Sequence, residues 1–151
     1  MIQKGSSTVP NDERHVVYTP EILRLAASLP ILEIAFPDAV GEARSMACGS
    51  RIRTCVAMDG DRVSAVAQEV QACAFGQASA ALVQAGASGR SLGEIEDARG
   101  QMAEWLNGLR DDPGGWPGLA TLAPARTKTG RHGAMLLPFD ALIAALRNAR
   151  R

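Results

Sequence analysis

The stretch "RIRTCVAMDGDRVSAVAQEV", residues 51–70, constrains the fold most tightly. Ile52, Thr54, Val56 and Met58 fall on one side of an extended chain. Arg51, Arg53, Cys55 and Ala57 fall on the other, the two-residue period of a half-buried strand. Asp59-Gly60-Asp61 is a turn signal, and "RVSAVAQEV" supplies the returning strand, so an antiparallel hairpin is expected. Ahead of it, "AVGEARSMACGS" is short and suits a strand from Ala39 running into a Gly-containing loop.

Helical signals flank this strand region. In "YTPEILRLAASLP", Thr19 is a cap, Pro20 suits the first helical position, Glu21 complements the dipole and Pro30 stops the helix. Ile22, Leu23, Leu25, Ala26 and Leu29 form its apolar face. "CAFGQASAALVQAG" predicts a helix from about Cys73 to Gly86. "SLGE", with Ser91 as cap and Glu94 at the third position, is a capping box. It opens a helix expected to break near Gly100 and to end at about Leu109. "RDDPGGWPGLATLAPARTKTGRHG" is expected to be a long, mobile connection, because loops of this length are uncommon in compact domains. "LLPFDALIAALRNARR" closes the chain as an amphipathic helix with arginines in its last turn. A helix, a run of strands and then helices make the α+β class.

A chain of 151 residues fits one domain, able to bury roughly 70% of the surface its unfolded form exposes. We assign residues 1–17 to a polar, unpatterned arm and 18–151 to the domain. Sixteen basic residues balance sixteen acidic ones, so no global field draws the chain to nucleic acid or an anionic membrane. No window approaches membrane-spanning length, and the first fifteen residues hold no signal-peptide run. Three cysteines, an odd count, argue against a disulfide framework and for a reducing compartment. A cytoplasmic location is expected.

The three thiols differ in setting. Cys73 stands at a strand-to-helix junction, where orphan amides and the helix dipole favour a thiolate; the alternative is a small core residue. Cys48 lies between alanine and glycine in a loop. Cys55 lies within a strand, on the face of Arg51 and Arg53, with no chemical role expected. No C-x-x-C, no phosphate loop and no G-x-S-x-G elbow is present. His132, in "RTKTGRH", is either a solvated loop histidine or the completion of a metal site.

Four stretches carry a resemblance to the iron–sulfur cluster assembly scaffold family, the IscU/NifU N-terminal type with its SufU branch. "YTPEILRLA" resembles the family's opening helix. "ACGS", residues 47–50, resembles its A-C-G-D loop. "ACAFGQASAAL", residues 72–82, resembles its second cysteine and Ala-Ser helix. "GRSLGEIED", residues 89–97, resembles the G-K-S-L-x-E segment that follows. The resemblance covers residues 18–148 and implies a small antiparallel three-stranded sheet covered by helices. In the family, three cysteines and one aspartate converge on a cluster or zinc site.

By the resemblance, the first two cysteines fall on Cys48 and Cys73. The aspartate falls on Ser50, and the third cysteine on Ala134, preceded by Gly133 where some members carry histidine. Cys55 falls on no ligand position. The Leu-Pro-Pro-Val-Lys chaperone segment is missing, with a loose echo in "LAPAR". Two thiolates do not close a site that takes four ligands. Three completions stay open: His132 reaches the gap, two chains share a [2Fe–2S] cluster as a homodimer, or the site is vestigial.

The function implied is a scaffold, a carrier without turnover. It would bind iron or a [2Fe–2S] cluster through Cys48 and Cys73, take sulfur from a cysteine desulfurase and pass the cluster to apo iron–sulfur proteins. Two alternatives are a desulfurase-binding protein that has given up the cluster, and a zinc-dependent sulfur acceptor.

Overall fold

The computed structural model describes residues 18–47 and 49–150. The arm assigned to residues 1–17 and the side chain of Cys48 lie outside the described residues. Helix α1 (Pro20–Ala27) is followed by strands β1 (Ala39–Arg44), β2 (Arg51–Asp59) and β3 (Arg62–Gln71). Helices α2 (Ala74–Gly86), α3 (Leu92–Leu106) and α4 (His132–Ala149) complete the fold. The strands form one antiparallel sheet in the order β1-β2-β3, with the register Gly41↔Thr54 and Thr54↔Gln68. This is the expected α+β architecture with its three-stranded sheet.

The alternation in β2 is realised as side-chain burial. Ile52, Thr54 and Val56 are buried beneath the helices, while Arg51, Arg53 and Cys55 occupy the outer face and are half-buried. Gly60 and Asp61 form the two-residue turn, and Gly60 takes the left-handed φ of +64° that such a turn requires. A register shift at Ala57/Met58 interrupts the alternation, so Met58 is only half-buried. Beyond the end of β1, the Asp38 carboxylate accepts the Met58 amide at 2.7 Å.

The helices pack on one face of the sheet. α4 lies on β1 and β2, α2 on β3, with α1 outside α2 and α3 outside α4. Gly41 lets α4 approach β1 to backbone contact. A Cβ there would land within the backbone of Ala145 and 2.7 Å from the Ala141 carbonyl oxygen. Phe75, Phe139, Ile22, Met102 and Leu142 fill the space between the layers and are fully buried.

Local signals are met at the helix ends. Thr19 Oγ1 accepts the Ile22 amide at 3.1 Å. Ser91 and Glu94 close the capping box, whose amide holds the Glu94 carboxyl below its ordinary 4.5 with help from Arg62. Such a cap contributes about 1 kcal/mol.

Several expectations are corrected. On α1 only Ile22 is buried, and Leu23 is 48% exposed. α3 is unbroken at Gly100, which faces open space, and it ends at Leu106. The segment expected as a long connection, residues 110–133, carries local structure. It folds into 3-10 turns at Leu119–Ala125 and Thr129–Arg131 and sends Trp116, Leu119 and Leu122 into the core. The Trp116 indole donates to the Leu82 carbonyl at 2.9 Å, and the Arg90 guanidinium covers its ring at 4.4 Å. Arg126 donates to the Trp105 and Arg110 carbonyls. These anchors are distant in sequence, so no local period announces them. His132 is accordingly the first residue of α4 rather than part of a loop.

Candidate functional site

Three segments meet at one end of the molecule: the loop 45–50 between β1 and β2, the start of α2, and the start of α4. The loop is tied across its base, where the Ser45 amide donates to the Ser50 carbonyl at 2.9 Å. The Gly49 amide in turn donates to the Ser45 carbonyl at 2.9 Å. Gly49 adopts φ +74°, a conformation that costs glycine nothing. The two bonds fix Ser45, Gly49 and Ser50 at the base of the loop. Ser50, the last residue of the loop, is 5% exposed.

Cys73 is the N-cap of α2, with extended φ −68° and ψ 173°, and its thiol makes no capping hydrogen bond. The side chain is therefore not committed to its own helix, and it is half-buried. The backbone beneath it is pinned twice. The Gln77 amide donates to the Cys73 carbonyl at 2.9 Å, and Gln77 Nε2 to the Ala72 carbonyl at 3.0 Å. Phe75, two residues on, stacks at a tilt against Tyr18 with ring centroids 4.8 Å apart.

The start of α4 closes the third side. A Cβ on Gly133 would stand 3.1 Å from Ser45 Oγ, which places this residue against the thiol loop. A Cβ on Gly76 would stand 3.2 Å from the Ala134 carbonyl oxygen and 3.4 Å from its methyl, which places Ala134 one turn along α2 from Cys73. Pro138 lies inside α4 and has no N–H, so the Ala134 carbonyl lacks its intrahelical donor. Ser79, fully buried, donates its hydroxyl to the Met135 carbonyl at 2.6 Å and ties α2 to α4 at this level. The motif "ACAFGQASAAL" includes both Gly76 and Ser79, but sequence alone gives neither a role of its own. The available signal is a lone hydroxyl in an alanine-rich helix.

The donors around this convergence are few. Ala134 is buried hydrocarbon. His132 Nε2 faces the carbonyls of Ala125 at 3.2 Å and Arg126 at 2.9 Å. Both are acceptors, so Nε2 carries the proton and only Nδ1 retains a lone pair for a metal. Among the described residues, no group of three or more His, Cys, Asp or Glu is placed to hold a metal ion. Cys55 lies elsewhere, on the outer sheet face. There Arg53 Nη1 stands 3.8 Å from its sulfur, and Leu32 and Ile34 border the same shallow pocket.

The chain's own residues thus present Cys73 and the Cys48 loop, a buried hydroxyl at Ser50, and a methyl at Ala134. Such a set does not close a four-ligand iron or zinc site.

No family model matches the sequence, and no curated protein does. Solved structures do match. The chain is similar to a nitrogen-fixing NifU-like protein (N-terminal) from Brucella abortus, at 32% identity and a TM-score of 0.81, over 88% of this chain and 94% of that one. A putative iron–sulfur cluster assembly scaffold protein for the SUF system, from Fervidobacterium islandicum AW-1, shares the fold. It is 22% identical with a TM-score of 0.77, over 85% of this chain and 96% of that one. With nearly a third of its residues identical across almost the whole length of the Brucella protein, this chain belongs to the NifU-like N-terminal family, of the IscU/NifU type.

Proposed function

We propose that this chain is an iron–sulfur cluster assembly scaffold whose cargo, iron or a [2Fe–2S] cluster, is held through Cys48 and Cys73. The observation that carries the reading is the meeting of the thiol loop, the Cys73 cap and the start of α4. Two thiolates are half of what a cluster takes. The other ligands come from a second thiol-bearing chain, in the simplest case the Cys48 and Cys73 of another copy. His132 can contribute only through Nδ1, because its other nitrogen is engaged with backbone. The sulfur donor is a cysteine desulfurase, and the receivers are apo iron–sulfur proteins. The chain acts in the cytoplasm as a carrier, without catalytic turnover.

The test is the iron, zinc and acid-labile sulfide content of anaerobically purified protein. Equal iron and sulfide, both lost in Cys48→Ser and in Cys73→Ser and retained in Cys55→Ser, are expected. Loss of iron in Cys55→Ser alone would sink the ligand assignment.

A second reading is favoured by the burial of Ala134 against Gly76. The fold then outlives its cluster and serves as a desulfurase-binding protein. Protein that stays metal-free after reconstitution, yet still binds the desulfurase, selects that reading. Zinc without sulfide selects the sulfur acceptor.

A further inference from the structure

The helices cover one face of the sheet, and the outer face of β2 and β3 is left open beside the thiol loop. Two shallow clefts lie on it. One, of about 260 Å³, is lined by Arg51, Arg53, Glu69 and Gln71. The other, of about 190 Å³, is lined in part by Leu32, Ile34, Cys55 and Ala67. Arg53 and Glu69 border both. The two clefts therefore make one trough, charged at the end next to the loop and apolar at the other.

The charged end breaks a rule of sheet pairing. Arg44 and Arg51 stand directly opposite each other as the last pair of β1 and β2 before the loop. Side chains so placed lie about 5 Å apart at Cβ, and like charges there destabilise the sheet. The neighbouring carboxylates do not relieve it. Glu42 divides its oxygens between Arg51 at 3.5 Å and Arg53 at 4.0 Å, and Glu69 holds Arg53 at 3.1 Å. Arg44 has no partner among the described residues. Three guanidinium groups against two carboxylates leave an excess of one positive charge on this face.

An excess of one charge selects the ligand. A single carboxylate neutralises it and suits the guanidinium fork. A phosphate dianion, or a run of phosphates, would meet the repulsion of Glu42 and Glu69, and a chain with sixteen charges of each sign has no wider field to offset it. A free carboxylate would gain little, because exposed ion pairs are weak. It must arrive on a chain that also fills the apolar end. Arg51 and Cys55 share one strand face and lie about 13 Å apart at 3.3 Å per residue, the span of a five-residue extended segment. We propose that this trough docks an extended segment of a partner protein. Its carboxylate bridges Arg44 and Arg51, and an apolar side chain four residues away rests on Leu32, Ile34 and Cys55. The docking needs neither metal nor thiol chemistry, so it goes beyond the scaffold reading and is tested apart from it.

Amide chemical-shift mapping of the full, reduced, chelator-treated chain tests this with a capped peptide, Glu-Ser-Val-Ser-Leu, and its reverse, Leu-Ser-Val-Ser-Glu. Shifts confined to β1, β2, β3 and residues 32–34 are expected with one of the two. Replacing the peptide's Glu by Gln weakens binding about 5-fold, the factor one exposed charge pair supplies. In the chain, Arg44→Gln and Arg51→Gln do the same. Arg44→Gln also leaves the urea midpoint level or higher, because it removes a like-charge pair, whereas an arginine kept for stability would lower it. Four results would overturn the proposal: no shifts at millimolar peptide, equal binding of the Gln peptide, tighter binding of a phosphoserine peptide or a single-stranded oligonucleotide, or a lower midpoint for Arg44→Gln.

Discussion

α4 is held against the rest of the molecule at two glycines, and the two seams differ in kind. At Gly41 the helix backbone itself fills the space a side chain would need. At Gly76 the nearest atoms are the methyl of Ala72, 2.6 Å from a Cβ built there, and the carbonyl and methyl of Ala134. The first seam fixes where α4 lies on the sheet and tolerates nothing. The second is closed largely by two alanine side chains, one of them at the position where the family's third ligand falls by resemblance. Evolution can rewrite a seam made of methyl groups without moving a helix. The middle of the fold is thus fixed by backbone, while the thiol end is open to exchange of chemistry.

The largest effect is expected from breaking the backbone seam. Gly41→Ala should cost about 3 kcal/mol or more, the upper range for overpacking a site that cannot relax, read as a fall in the urea midpoint. Gly76→Ala should cost less, about 1–2 kcal/mol, because only one contact there, the Ala72 methyl, falls under 3 Å, against three backbone contacts at Gly41. Equal losses at the two positions would erase the distinction.

The second effect sharpens the thiol end. Ser50→Asp with Ala134→Cys returns a carboxylate and a thiol to the two positions that lack them. A four-ligand set closes within one chain, so metal retained on the monomer should rise to about one per chain. Metal analysis after gel filtration checks this, and unchanged content would mean the three segments do not converge closely enough to share an ion.

The same contrast explains what was legible in sequence. Elements set by local chemistry were readable: the β2–β3 hairpin from its period of two, α1 from Thr19 and Pro20, and α3 from its capping box. Segment 107–131 was not, because Trp116 and Arg126 are held by carbonyls of Leu82, Trp105 and Arg110, contacts that leave no spacing in the chain. His132 was read as a loop residue because α4 begins without a side-chain cap at Arg131. At the site, the motifs around Cys48 and Cys73 were visible. The convergence of Gly133 on Ser45 and of Ala134 on Gly76 was accessible only through resemblance, since small residues carry no signal of what they touch.

The smallest effects come from two buried hydroxyls, one at each kind of seam. Ser79 at the thiol end is partnered by the Met135 carbonyl. Thr54, on the core face of the sheet, has no hydrogen-bond partner for Oγ1 among the described residues. Its cross-strand neighbour Gln68 likewise leaves Oε1 unpaired, although Gln68 Nε2 reaches Ala80 and Gln84 on α2. Ser79→Ala should destabilise by about 1 kcal/mol, the net worth of one hydrogen bond. It should also raise the reactivity of Cys73 toward a thiol probe as α2 and α4 loosen. Thr54→Val replaces an unpaired buried hydroxyl with a methyl of similar shape, so its sign is reversed: stability should hold or rise by up to about 1 kcal/mol. Urea unfolding of both variants measures the pair. Destabilisation by Thr54→Val would show that the hydroxyl is satisfied in solution, by an internal water bridging it to Gln68 and Gln84. The body of the fold would then hold a polar seam against α2 as specific as the one Ser79 makes at the thiol end.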